Sequence, residues 1–197
     1  MNMEGSLRIY FRILAEHEIV RRYLIINSFD GALTILGIIF AEFFGSVHDP
    51  ALIILPGIGA AVAMCVSGVW GAYSAERAEV KHAIRTMEAH LLKDLSGTEF
   101  SRKREHMAFV VGLVDGISPL AASFFILMPF FFVGAGAIPI NIAYQISFAL
   151  VGIVLFTLGA LAGRIARESM VKHGIIMLLA GGTIGAIFLL LAAAGAL

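Results

Sequence analysis

Apolar and polar positions fall into long blocks along this chain, with no regular alternation. A helix that crosses a bilayer needs roughly 20 mostly apolar residues. Five stretches meet that need: residues 24–47, 51–73, 107–132, 138–161 and 174–194. None shows the period of two, punctuated by turn residues, that marks the strands of a membrane β-barrel. The pattern therefore predicts an all-α integral membrane protein with five transmembrane helices. Two polar segments stand outside the spans. Residues 1–23 mix Arg8, Arg12, Arg21 and Arg22 with Leu7, Ile9, Tyr10, Phe11, Ile13 and Leu14. They read either as an interfacial helix capped by Ser6 or as a charged topology anchor. They lack an apolar core ending in a small-residue cleavage site, so the first span is expected to act as its own insertion signal. Residues 74–106 form a short helical insertion between spans two and three. Its first part, SAERAEVKHAIRTMEAHLLKDL, lacks Gly and Pro. Ser96-Gly97 is expected to end that helix, and Thr98 to cap one that runs on into the third span. The chain thus divides into 1–23, 24–73, 74–106 and 107–197.

Composition narrows the function. Of 197 residues, 59% are hydrophobic and 14% charged. Soluble domains carry about 25% charge, so a soluble globular protein and a disordered chain are both excluded. The 14 Lys+Arg balance 14 Asp+Glu, which leaves no basic surface for nucleic acid. The single cysteine, Cys65, excludes a disulfide framework and a CxxC site. Every Lys and Arg falls in the opening segment, in 74–106, or in the loop holding Arg164, Arg167 and Lys172. The other two loops hold none. The positive-inside rule then puts the N-terminus and both basic loops in the cytosol and the C-terminus outside.

A charge within hydrocarbon costs about 2.5–3.5 kcal/mol or more, so it usually marks a site or a pathway. The first span carries Asn27, Asp30, Thr34 and Glu42, which share one helical sector with Gly31, Gly37 and Gly45. Asp30 and Glu42 are about 18 Å apart along the axis. No Lys or Arg within a span neutralises them, so either they hold protons or a cation shares their surroundings. The third span carries Asp115, and the dipeptide Asp-Gly recurs at 30–31 and 115–116. Pro119 and Pro129 are expected to break or kink that span and free backbone carbonyls as ligands. The competing reading makes each aspartate a helix N-cap at the membrane interface. Ser67xxxGly71, Gly159xxxGly163 and Gly181xxxGly185 are the expected helix-packing seams.

On the 74–106 helix, Val80, Ile84, Leu91 and Leu95 share a narrow face. Glu76, Glu79, Met87, His90 and Asp94 form a stripe beside it. Oxygen, sulfur and imidazole donors together suit Fe(II), Mn(II) or Zn(II) better than Ca(II). A solvated helix laced by its own ion pairs is the simpler reading of the stripe.

Three segments carry a resemblance to a known family: NSFDGALTILGIIFAE in the first span, AAVAMCVSGVWGAYSAERAE closing the second, and SPLAASFFILMPF in the third. Together with the five-span layout, they resemble the vacuolar iron transporter family, whose members move Fe(II) or Mn(II) out of the cytosol in exchange for protons. The resemblance implies that Asp30 lies on the translocation path and that Met64 supplies a soft ligand, with Cys65 in the family's register. It further implies that Glu76 and Glu79 collect the ion in the cytosol, and that two copies form a homodimer with the path between their first spans. Where the family has Gly-Glu-Tyr, this chain has Gly68-Val69-Trp70, and Asp115 is an addition. These departures mark a divergent, prokaryotic-type member, which implies a prokaryotic cell membrane.

The expected function is export of a divalent cation, with Asp30, Glu42, Met64, Glu76, Glu79, His90 and Asp115 as the metal set and Glu42 as a carrier of the counter-moving proton. No resident cofactor is expected. A non-transporting membrane scaffold is the alternative. An enzyme is not expected: no HExxH motif occurs, and all six histidines lie in or beside loops.

Overall fold

A computed structural model of the protein describes residues 18–92, 94 and 97–195. These form α1 (Glu18–Phe44), α2 (Pro50–Leu91), α3 (Glu99–Gly134), α4 (Ile140–Ala166) and α5 (Met170–Ala193). All five are long and apolar enough to cross a membrane, and no strand occurs among the described residues. Of the expected interfacial helix, residues 6–17 lie outside the described residues, and 18–22 form the start of α1.

Local chemistry explains where the helices start and stop. Asp49 precedes α2, and its Oδ1 accepts from the Ala51 amide at 2.9 Å, with Pro50 at the first helical position. Thr98 starts α3 as expected, its hydroxyl oxygen accepting from the Ser101 amide at 3.3 Å. Ser169 does the same for Lys172 at the start of α5. After α3, Gly136 adopts φ 72° while the Ala137 amide donates back to Phe132 at 2.9 Å, a left-handed cap that favours glycine.

Two expectations need correction. The segment from residue 74 is helical and continues α2, which runs unbroken for 42 residues, about 63 Å. That is roughly twice the hydrocarbon thickness. Nothing in 74–91 stops a helix, and the break comes at Leu92 (φ 49°), ahead of Ser96-Gly97. Pro119 and Pro129 also do not break α3, which runs through both. Each lacks an amide and so removes one bond of the helical ladder.

The chain forms two compact units. Unit 1 takes the described residues of 18–26 and 65–117, and unit 2 those of 27–64 and 118–195. In unit 1, Val20, Ala72 and Val111 make the core, with Ile19, Tyr23, Met107, Val110 and Val114 packed around them. Here α2 and α3 meet backbone to backbone. A Cβ added at Gly112 would stand 2.9 Å from the Val69 carbonyl, and one at Gly116 would overlap the Cys65 carbonyl. Gly68 lies in the same seam, whereas Gly71 faces open space, so the expected Ser67xxxGly71 contact is not the one formed.

In unit 2 the core joins Ala32, Ile35, Leu36 and Ile39 of α1 to Ile126, Leu127 and Phe130 of α3 and to Val151 and Leu155 of α4. Ser147, fully buried, donates to the Ile126 carbonyl at 2.9 Å. The other two expected seams are used. Gly159 and Gly163 press on the start of α5, while Gly181 and Gly185 meet Leu155 and Phe40.

Candidate functional site

Neither Asp-Gly aspartate caps a helix. Asp30 lies roughly three turns past Glu18 in α1, and Asp115 roughly four turns past Glu99 in α3. In both dipeptides the glycine is a packing contact. Gly31 abuts the backbone of Pro119 within unit 2, where an added Cβ would stand 2.7 Å from its Cα and its carbonyl oxygen. Gly116 abuts α2 within unit 1. The recurrence thus has a structural basis: the glycine admits a neighbouring backbone, and the preceding aspartate stands beside that contact.

Unit 1 holds the predicted site residues Asp115 and Glu76. Asp115 is 8% exposed, and its Oδ2 lies over Gly68, 2.9 Å from where a Cβ would sit. Val69 packs on Gly116 at the same level. Glu76, half-buried one helix away, accepts a hydrogen bond from the Tyr23 hydroxyl at 3.1 Å. The carboxylates of Glu76 and Asp115 both act electrostatically on that phenol, with Arg22 beside it. Sequence reasoning did not find Tyr23. An aromatic residue at the edge of a charged opening segment reads as an interface anchor, and no periodicity reveals a partner 53 residues away.

Unit 2 holds Asp30, Glu42 and Met64. Asp30 is exposed on a helix face that also carries Ile26, 50% exposed, and Gly37, beside which nothing packs within 4 Å. Glu42 is half-buried near Tyr144, whose hydroxyl donates to the Val47 carbonyl at 3.1 Å. Met64 is half-buried on α2.

The remaining candidates line the far part of α2. Glu79, Met87 and His90 are exposed. His90 Nδ1 donates to the Thr86 carbonyl at 2.7 Å, so its Nε2 is the nitrogen left to bind a ligand. Asp94 does not extend the stripe, because the helix ends at Leu91. Of the apolar face, Ile84 is buried and Val80 half-buried, while the side chains of Leu91 and Leu95 lie outside the described residues. Among the described residues, no three His, Cys, Asp or Glu side chains converge as a ready metal-binding group.

No family model matches the chain, and no solved structure matches it. Among curated proteins it is similar to Uncharacterized protein MJ0645 of Methanocaldococcus jannaschii. The two are 31% identical over 159 residues, which cover 79% of this chain and 80% of the relative.

Proposed function

We propose that this chain, which belongs to the family of the Methanocaldococcus jannaschii protein MJ0645, exports divalent cations, Fe(II) or Mn(II), from the cytosol across a cell membrane. Glu76, Glu79 and His90 collect the ion on the cytosolic side. Asp115 and Asp30 take it at the inner level of the bilayer, with Met64 as a soft ligand. Glu42 serves the outer end and carries a proton inward. The ion pathway is completed by a second copy packed along α1.

The observation that carries this reading is the depth of the two aspartates inside uninterrupted helices. A helix cap needs no further explanation, but a carboxylate turns into an apolar span only at a cost of a few kcal/mol. Two details add support. The Asp115 carboxylate lies over Gly68, beside Val69, the position where the resemblance to vacuolar iron transporters implies a glutamate. An acidic group is thereby kept at that level, supplied by the neighbouring helix. Asp30 and Gly37 share an open face of α1, the surface that a second copy is proposed to cover.

The test is metal entry into proteoliposomes that enclose a dye quenched by Fe(II) or Mn(II). Asp30→Ala is expected to abolish entry while the purified protein keeps its helical circular dichroism and its elution volume. Unchanged flux refutes the role given to Asp30. A scaffold predicts instead that Asp30→Asn and Asp115→Asn are both tolerated, in assembly and in cell growth under metal load.

A further inference from the structure

We propose that Tyr23 is a positioning residue that restrains Glu76, and that its hydrogen bond competes with capture of a cation by Glu76. The inference rests on the reading of Glu76 as a collecting ligand and adds a control over that residue.

The restraint is built from three helices of unit 1. Tyr23 packs against the unit 1 core, to which α1, α2 and α3 contribute Val20, Ala72 and Val111. This packing limits the freedom of the ring that carries the hydroxyl. The hydroxyl donates to Glu76 Oε1 at 3.1 Å. Glu76 is drawn against the unit and half-buried, whereas Glu79, nearly one turn further along the same helix, is exposed.

The chemistry of the pair sets up a competition. A carboxylate offers a divalent cation most when both oxygens are available. With Oε1 accepting from a phenol, one of its lone pairs and part of its negative charge are already committed. The phenol has one hydrogen to give, and a cation at Glu76 competes with that hydrogen for the carboxylate's charge. Cation capture at Glu76 and the Tyr23 bond are therefore mutually weakening. The Asp115 carboxylate also acts on the phenol, and Arg22 stands beside it. A released hydroxyl remains in the field of the next carboxylate along the proposed path.

Tyr23→Phe removes the hydroxyl and keeps the ring, so the unit 1 core stays filled. The first arm uses the full-length, metal-free protein in detergent, with ring-labelled tyrosine. Tyr23 is identified in the infrared spectrum as the band lost in Tyr23→Phe. Glu76→Gln replaces a charged acceptor with a neutral one and is expected to shift that band. A band that does not move overturns the restraint. The second arm measures Mn(II) entry into proteoliposomes. Tyr23→Phe is expected to lower the half-saturating Mn(II) concentration about two- to tenfold, the range set by one net hydrogen bond, with little change in maximal rate. A maximal rate that falls at unchanged half-saturation indicates a structural role and overturns the proposal. Absence of Mn(II) entry in the wild type overturns the transport reading itself. Failure of the restraint is distinct, because it leaves wild-type entry intact.

Discussion

Substituting Gly112 by alanine tests the helix seam that brings Asp115 and Glu76 into one unit. An added Cβ at this position would stand 2.9 Å from Tyr73 Cβ, 2.9 Å from the Val69 carbonyl oxygen and 3.1 Å from the Tyr73 amide nitrogen. Favourable carbon contacts lie at about 3.5–4.0 Å, and two of these neighbours are backbone atoms that cannot rotate away. Helices α2 and α3 must part by roughly half an ångström, enough to forfeit about a quarter of the dispersion well for each contact across the seam. Overpacking of this kind costs about 1–3 kcal/mol. The methyl also brings a helix-propensity gain of about 1 kcal/mol over glycine. Gly71→Ala on α2 brings the same gain with nothing packed within 4 Å. The propensity term cancels in the comparison, so the two variants should differ by the steric term alone, about 1–3 kcal/mol. The assay is thermal unfolding in one detergent at one scan rate, since membrane proteins often unfold irreversibly. At roughly 2–4 °C per kcal/mol for a chain of this size, Gly112→Ala should melt several degrees below Gly71→Ala. Equal melting temperatures, or a lower one for Gly71→Ala, would refute the seam.

Two further outcomes follow from the same reasoning. Ser147→Ala removes the buried bond to the Ile126 carbonyl and should lower stability by about 0.5–1.5 kcal/mol in the same melt, without altering oligomer size. Lys103, 2.7 Å away, hydrogen-bonds and attracts the Glu99 carboxylate and holds its carboxyl below the usual glutamate range. A depressed carboxyl stabilises above its unfolded value, and that contribution is lost as pH falls through the folded value. Amide protection in the first turn of α3 should therefore drop on acidification in the wild type and stay flatter in Glu99→Gln. The difference should shrink at high salt, because both side chains are exposed.

Much of this architecture is written locally. The five apolar runs became five helices, and Asp49, Thr98 and Ser169 cap helices through chemistry carried by a few adjacent residues. The continuation of α2 to Leu91 was also latent, because SAERAEVKHAIRTMEAHL contains no residue that ends a helix. What stayed hidden depends on how helices rotate against one another. Spans that are apolar on most faces do not reveal which face meets protein, so the sequence does not separate Gly68 from Gly71 or mark Gly112 and Gly116 as one seam. The Tyr23–Glu76 bond is hidden for the same reason, since it joins two helices across 53 positions. The aspartates were ambiguous because capping and burial differ only in where the helix begins. In the structure both helices begin several turns earlier.

The central claim is that carboxylates set deep within these helices carry a divalent cation across the bilayer. The most direct measurement is Mn(II) flux into proteoliposomes under an imposed pH gradient, comparing the wild type with Asp115→Asn. The substitution keeps the side chain's shape over Gly68 and removes its charge. The account predicts gradient-driven flux in the wild type and its loss in Asp115→Asn at unchanged melting temperature. Equal flux in the two proteins, or no flux in either, would contradict it.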